Sequence, residues 1–152
     1  MKKITVLIGA LLFTCFVQAQ ETTSFNFTFN HLALLVKDVN RSADFYKKIL
    51  NLNEIENRSK SEGMRWLSLG DNLELHLISM GKRNVIIDTA SHFAFATKHF
   101  DAYINFLNKE KIKYLDANDQ PHAYSVRADG VKQLYFQDPD GYWIEVNNIG
   151  QK

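Results

Sequence analysis

The spacing of apolar residues predicts that the folded part of the chain begins with a two-faced strand. Over residues 25–36, positions alternate so that Leu32, Leu34 and Val36 share one apolar face. The opposite face is small or polar around His31. Such a strand packs one face on a core and leaves the other open to water or a ligand.

A helix and three further strands are predicted to follow. Apolar residues at helical spacing come after Asn40, a candidate N-cap, and Asn51 is expected to end the helix in the left-handed conformation. Asp71 and Asn72 follow Gly70 and have the composition of a tight turn between the last two strands. The three strands are predicted at residues 53–57, 64–69 and 73–79.

The same order of elements recurs in the second half of the chain. HLALLV from His31 is echoed by HFAFAT from His92, and Phe45 is matched by Phe106, both 61 residues apart. That period is too long for a solenoid repeat and predicts two fused modules. The modules are predicted at about residues 27–80 and 90–148, within one domain over 27–148. The linker, about residues 81–89, is short, so we expect the modules to pack together.

The second module repeats the strand, helix and strands of the first. Asp138-Pro-Asp-Gly141 is expected to form a hairpin turn, because Pro sets the first turn position and Gly accepts a positive φ. The other elements are predicted, in chain order, as a helix at residues 99–111, a strand near 113–115, a loop over 116–130 and strands at 131–137 and 142–147.

The first residues have the composition of an export signal. Lys2 and Lys3 precede an apolar run over residues 4–17, which is shorter than the ~20 residues that span a bilayer. Ala19 supplies a small residue at the cleavage point, so residues 1–19 are predicted to be a signal peptide. We expect a periplasmic or secreted bacterial protein without a stable membrane anchor. An uncleaved anchor is the alternative.

Removal of that segment changes what the composition allows. The chain has 152 residues and a net charge of +1; without residues 1–19, 133 residues remain with a net charge of −1. Cys15, the one cysteine, is lost as well. The remaining protein has no disulfide, thiol nucleophile or thiolate ligand, and depends on its hydrophobic core. The near-neutral charge excludes the basic footprint of a nucleic-acid-binding protein.

Strand parity places one His and one Glu of each module away from the apolar face. His31 and His92 come from the first strand of their module, and Glu74 and Glu145 alternate with apolar residues in the last. Because an unpaired buried carboxylate costs several kcal/mol, a shared metal ion would account for all four residues. Imidazole and carboxylate ligands suit Zn, Ni, Mn, Co or Fe(II).

Four segments around these residues carry a family resemblance. They are HLALLVKDVNRSADFY from His31, LEL from Leu73, SHFAF from Ser91 and FQDPDGYWIE from Phe136. Together they extend over roughly residues 28–148. In this combination the chain resembles the vicinal oxygen chelate superfamily, which includes glyoxalase I, fosfomycin-resistance thiol transferases, extradiol dioxygenases and bleomycin-resistance proteins.

The resemblance implies an α+β fold of two βαβββ modules whose curled sheets form a cupped metal site. By position it implies one divalent metal ion bound by His31, Glu74, His92 and Glu145, the glyoxalase I pattern. Branches with three ligands would use His31, His92 and Glu145. The ion would act as a Lewis acid on neighbouring oxygens of a small substrate, and Glu74 or Glu145 would move a proton. Many members pair as dimers, so a homodimer is compatible with the resemblance.

Two positions depart from the glutathione-using glyoxalases. Those enzymes place an Arg four residues after the first His and an Asn four residues after the first Glu, where this chain has Leu35 and Ile78. Both differences count against glutathione. We therefore expect an exported metal-dependent lyase or isomerase of the glyoxalase type. A non-catalytic binding protein of the bleomycin-resistance type is the alternative, and a dioxygenase or thiol transferase is less favoured.

Other candidate residues have competing interpretations. His76 shares the face of Glu74 and is its rival as the first module's ligand, although a rim histidine without metal is an equal alternative. His99 and His122 are expected on the surface or in loops. Arg65 and Arg127 are expected to be solvated rather than to bind an anion. Trp66, Tyr135 and Trp143 are candidates for lining the cavity or for core packing.

Overall fold

Two groups of elements repeat the same order along the chain. The computed structural model describes residues 28–79, 87–88 and 90–150. The first group is β1 (His31–Val36), α1 (Val39–Ile49), β2 (Asn53–Ile55), β3 (Met64–Gly70) and β4 (Leu73–Ser79). The second is β5 (His92–Ala96), α2 (Phe100–Lys109), β6 (Tyr114–Leu115), β7 (Ser125–Val126), β8 (Lys132–Gln137) and β9 (Trp143–Asn147). The predicted α+β class is confirmed. The predicted signal peptide, the start of the first predicted strand and most of the predicted linker lie outside the described residues.

Each group forms its own sheet, with the first strand of the group at one edge. The first sheet has the order β1-β4-β3-β2, and the second has the order β5-β9-β8-β6, with β7 also paired to β8. β1 is parallel to β4 and β5 is parallel to β9, whereas the other pairs are antiparallel. In the described residues, β1 and β5 therefore have a strand partner on one side only. Both strands carry a candidate histidine at their first residue.

One hydrophobic core joins the two modules. The apolar face of β1 and β4 meets the buried side of α1, where Ala43, Tyr46 and Ile49 recur at helical spacing. The same cluster contains β8 and β9 residues of the second sheet, among them Phe136 and Ile144. The apolar faces of both sheets are thus buried in shared packing, as their alternation predicts. No helix among the described residues is long and apolar enough to cross a membrane.

Local sequence signals were right at some element ends and wrong at others, among them the strand predicted at residues 53–57, which ends at Ile55. Asn51 has a φ of 53°, as predicted, and Asp71 and Asn72 both have positive φ values, as a type I′ turn requires. The prediction of Asn40 as N-cap is wrong. Asp38 caps α1 instead, because its carboxylate accepts the backbone N–H groups of Asn40 and Arg41 at 2.8 and 3.2 Å.

The second helix is shorter than its predicted range of residues 99–111. It ends at Lys109, since Lys111 takes a φ of 57° and its backbone N–H bonds the carbonyl of Asn108. The predicted loop over residues 116–130 is largely irregular, but it also contains the short strand β7.

The hairpin loop at residues 138–142, called the clamp below, ties the second module to the first. The Tyr46 hydroxyl donates to Asp138 Oδ2 at 2.7 Å, and both side chains are buried. Asp140 accepts from the Ser42 hydroxyl at 2.6 Å and from the Lys37 backbone N–H at 2.8 Å. The predicted turn therefore has a second role, because both of its carboxylates bond the other module.

Tyr142 extends the clamp along the edge of β1. Its hydroxyl accepts from the Leu35 backbone N–H at 3.2 Å and donates to the Leu35 carbonyl at 3.1 Å. Asp138 Oδ1 holds the loop itself by accepting the backbone N–H groups of Asp140 and Tyr142. One tyrosine thus satisfies backbone groups at the β1 edge that would otherwise need a further strand.

We predict that loss of the buried Tyr46 hydroxyl weakens the contact between the modules. Tyr46→Phe leaves a buried Asp138 oxygen without its donor, so the free energy of unfolding should fall by about 1–3 kcal/mol. Tyr103→Phe is the matched control, since its hydroxyl donates to the neutral Ile49 carbonyl at 3.2 Å. Urea unfolding at neutral pH measures both. An equal or smaller loss in Tyr46→Phe would contradict a special role for the buried pair.

We also predict a pH dependence from Asp138. Burial raises the pKa of its carboxyl, although the hydrogen bond from Tyr46 opposes that shift. The folded state then binds the proton more tightly than the unfolded chain. The carboxyl's contribution to stability is thus greatest below the unfolded pKa, ~3.9, and is lost as the pH rises through the folded pKa. The stability of the unsubstituted protein relative to Asp138→Asn should therefore fall from about pH 4 upward.

Asp129→Asn is the control of opposite sign. The backbone N–H of Val131 and the Arg127 guanidinium lower the pKa of the exposed Asp129 carboxyl. Its contribution is present above the unfolded pKa and lost as the pH falls. Urea unfolding at a series of pH values gives the difference in free energy of unfolding between the unsubstituted protein and each variant. This difference should fall with pH for Asp138→Asn and rise with pH for Asp129→Asn, and slopes of the same sign would refute the effect of burial.

Candidate metal centre

Three candidate side chains of the first module lie together on the polar face of its sheet. His31 is opposite Glu74 in the parallel β1–β4 pair, and His76 is two residues further along, opposite Ala33. The His31 and His76 rings stack with 4.5 Å between centroids, and His76 Nε2 lies 2.8 Å from Glu74 Oε2. Glu74 and His76 are largely buried, while His31 is exposed.

Cationic and aromatic neighbours surround Glu74 and His76. Arg58 Nη2 donates to Glu74 Oε1 at 2.6 Å. The hydrogen bond with His76, followed by the one from Arg58, lowers the pKa of the Glu74 carboxyl, which is therefore ionised at neutral pH. The Trp66 indole stacks on His76 at 3.9 Å between centroids, and Arg58 Cζ lies 4.8 Å from the Trp66 ring. The indole N–H of Trp66 has no hydrogen-bond partner in the described residues, so the ring is held by packing, by stacking on His76 and by the Arg58 contact.

The second module holds its glutamate in a different way. Glu145 is buried and accepts from the Tyr135 hydroxyl at 2.9 Å and from the Asn147 amide at 2.7 Å. His92 Nε2 lies 3.3 Å from Glu145 Oε2, the oxygen that Tyr135 also bonds. Burial, followed by the hydrogen bond to Glu145, raises the pKa of Tyr135 to about 12. Neutral donors on the same face thus satisfy this carboxylate in place of an arginine.

The two modules differ by two residues in the register of their parallel strands. His31 lies opposite Glu74, but its counterpart His92 lies opposite Trp143. Glu145 lies opposite Ala94, two residues after His92. In the first module the equivalent position, opposite Ala33 and two residues after His31, is occupied by His76. Both Glu74 and His76 therefore stay candidate ligands. Glu74 is the counterpart of Glu145 in the sequence pattern, and His76 is its counterpart in the strand register.

The structure brings the four predicted ligands together as two pairs rather than as one cluster. His31 and Glu74 belong to the first sheet, and His92 and Glu145 belong to the second. No group of three or more His, Cys, Asp or Glu side chains in the described part of the chain is placed to hold a metal ion. Nitrogen and carboxylate donors have the right chemistry for the predicted metals, but each pair supplies only two ligands.

The remaining candidates are placed as follows. Arg65 forms a two-point ion pair with Glu54, at 2.7 and 2.5 Å, and Arg127 bonds Asp129 at 2.8 Å. Both guanidinium groups are thus paired with a carboxylate of this chain; Arg127 is exposed, as predicted, whereas Arg65 is half-buried rather than solvated. His99 and His122 are exposed, as expected. Trp66 and Tyr135 contact candidate ligands, and Trp143 is the half-buried neighbour of His92.

Two contributors to the site were missed by the sequence analysis. Arg58 lies in the irregular segment between β2 and β3, where no periodicity marks a residue that reaches Glu74. Asn147 lies two residues after Glu145 on the same face of β9 and donates to its carboxylate. The parity of β9 was the signal that would have found it.

Comparisons with known proteins were consistent in sequence and in fold. The family model described as Glyoxalase/Bleomycin resistance protein/Dioxygenase superfamily matches residues 28–146. The metallothiol transferase FosB of Staphylococcus saprophyticus is 28% identical over 124 residues, with 78% of this chain and 74% of that protein covered. Glyoxylase I 4 of Arabidopsis thaliana is 30% identical over 128 residues, with 78% and 69% covered.

A solved structure gives the same fold. The oxidase ChaP-H2 matches with a TM-score of 0.66 at 22% identity, and the match covers 81% of this chain and 94% of that one. At this identity the likeness bears on the fold alone. The matched length in all these comparisons takes in both modules.

Proposed function

The chain belongs to the glyoxalase/bleomycin resistance protein/dioxygenase superfamily, and we propose that it is an exported metal-dependent lyase or isomerase. Its substrate would be a small molecule bound through neighbouring oxygens. The observation that carries this proposal is the His–Glu pair on the polar face of each sheet, at 31 and 74 and at 92 and 145. The names of the two relatives, a metallothiol transferase and a glyoxylase, support metal-dependent chemistry. Export rests on the sequence of residues 1–19.

We place the complete metal site between two copies of the chain. A zinc site takes three or four protein ligands, and each pair supplies two. The shared core takes up the apolar faces of both sheets, and each pair lies on the opposite face of its own sheet, so we expect the pairs of one chain to stay apart. β1 and β5 are edge strands in the described residues, and edge strands are natural pairing surfaces. In a symmetric dimer, the first pair of each copy would meet the second pair of the other.

The chain's own residues would hold the ligands and move a proton. A divalent ion at this site would supply Lewis-acid stabilisation of an oxyanion. Tyr135 and Asn147 fix the orientation of Glu145, because each donates to a different carboxylate oxygen. His76 and Arg58 hold Glu74 in the same two-point manner. Glu74 or Glu145 would accept the proton next to the substrate carbonyl.

An apolar pair replaces the residues that bind glutathione in the resembling glyoxalases. Leu35 and Ile78 lie opposite each other in the β1–β4 register, on the same face as His31 and Glu74. Neither side chain can pair with a carboxylate or a peptide group. The proposed reaction therefore does not use glutathione.

Metal content in mixed dimers tests the shared site. Purified residues 20–152 should bind about one divalent ion per chain, and neither His31→Ala/Glu74→Gln nor His92→Ala/Glu145→Gln should retain it. When the two variants are unfolded, mixed in equal amounts and refolded together, half of the dimers should be mixed. Each mixed dimer has one intact site, so occupancy should return to about a quarter of an ion per chain.

His99→Ala, which changes an exposed histidine outside the candidate ligands, is the control and should keep full metal occupancy. A folded, dimeric mixture that stays empty would refute a site shared between copies. If the unsubstituted protein takes up none of Ni, Zn, Mn, Co or Fe(II), the metalloenzyme proposal fails. The protein would then be studied as a small-molecule binding protein.

Single substitutions separate metal ligands from the proton carrier. Glu74→Gln, His76→Ala and Glu145→Gln are compared for metal content and for turnover of α-oxoaldehydes. Loss of a ligand should lower occupancy, whereas loss of the proton carrier alone should lower kcat about 100-fold or more with the metal retained. If all three variants keep both metal and activity, the assignment of this face is wrong.

A further inference from the structure

A cavity of about 500 Å³ opens in the second module, at the start of β9. It lies between the connection from α2 to β6, the start of β9 and the loop after β6. Its volume falls within the ~300–1,000 Å³ of small-molecule pockets. The lining residues that matter here are Lys111, Ile112, Lys113, Leu115, Pro121 and Trp143.

The strand register places two lining residues of this cavity opposite residues of the second module's candidate metal site. Trp143 lies directly opposite His92 in the β5–β9 pair. Leu115 lies opposite Tyr135, whose hydroxyl bonds Glu145. A molecule bound by the His92–Glu145 pair would therefore lie on the face of the sheet that also carries Trp143 and Leu115.

The lining selects for one kind of chemical group. Trp143, Leu115, Ile112 and Pro121 give a mostly apolar wall that favours a ring or short hydrocarbon chain. Lys111 and Lys113 are exposed at the rim, and neither forms an ion pair within the described ranges. No acidic residue lines this cavity. The rim therefore favours an anionic group over a cationic one.

We propose that this cavity binds the apolar part of the substrate and that Lys111 and Lys113 select substrates with an anionic group. The substrate class is thus an aromatic or aliphatic acid with neighbouring oxygens for chelation. This inference rests on the proposed function only for the chelated oxygens. The cavity's own preference is testable without metal.

Three probes of one skeleton test the cavity in metal-free protein. They are 3-phenylpropionate, 3-phenylpropanol and 3-phenylpropylamine, which differ in charge. Trp66→Phe leaves Trp143 as the one tryptophan, so its emission reports occupancy of the cavity. Calorimetric titration of the unsubstituted protein gives a second readout. We expect the acid to bind more tightly than the alcohol, and the alcohol more tightly than the amine.

Substitutions then test which residues of the cavity cause the preference for the acid. Lys111→Gln/Lys113→Gln should weaken binding of the acid about threefold per lysine and leave the alcohol unchanged, since exposed charge pairs are worth ~0.2–1 kcal/mol. Lys98→Gln, an exposed lysine outside the cavity, should change neither. Leu115→Asp should abolish binding of all three probes, and Leu115→Met should retain it, which controls for folding.

Several outcomes overturn the proposal. Equal affinities for the three probes would remove the anionic preference. Probe binding that survives Leu115→Asp in a folded protein would move the site elsewhere, as would a Trp143 emission that never responds. Because these measurements use metal-free protein, a failed metal titration would reject the proposed reaction without affecting the cavity.

Discussion

The buried hydrogen bond between Tyr46 and Asp138 fixes how the two modules sit relative to each other. It joins α1 to the hairpin loop between β8 and β9, and the rest of the clamp follows from it. Asp140 and Tyr142 come from the same loop and reach Ser42 and the β1 edge. A buried carboxylate that loses its donor is costly, so this contact resists sliding of one module on the other. The shared core then closes between the two sheets.

This arrangement decides where the chemistry can occur. The apolar faces of both sheets are buried in the shared core, and each His–Glu pair lies on the opposite, polar face of its own sheet. The clamp also covers the Leu35 end of β1 with Tyr142, while His31 at the other end of the strand remains exposed. The candidate histidines thus lie on edge strands of the described sheets, and the same loop leaves the His31 end of β1 open. In the proposed metal site, a second copy would supply the ligands that each pair lacks.

The sequence predicted features that depend on near neighbours along the chain. Alternation identified the polar faces of β4 and β9, and the left-handed Asn51 followed from its place after the last apolar turn. The choice between Asp38 and Asn40 failed because both are good caps and only packing sets the start of α1. The sequence predicted the clamp only as a hairpin turn. Its turn residues do not indicate whether Asp138 also bonds a distant side chain such as Tyr46. Arg58 lacks any periodic signal, and the separation of the ligand pairs depends on how two modules pack.

Sharing a metal between copies would couple metal binding to assembly. A divalent ion held by both pairs binds the dimer and not the isolated chain, so it stabilises the dimer by mass action. By the reciprocity of linked equilibria, assembly raises the affinity for the ion by the same factor. The Arg58–Glu74 ion pair opposes this coupling in the free chain, because the carboxylate is already paired with a cation. Glu145 instead accepts from the neutral donors Tyr135 and Asn147 and lies beside His92. In the proposed shared site, the second module's pair would therefore be the better-prepared half, and the first module's pair would exchange a partner on assembly.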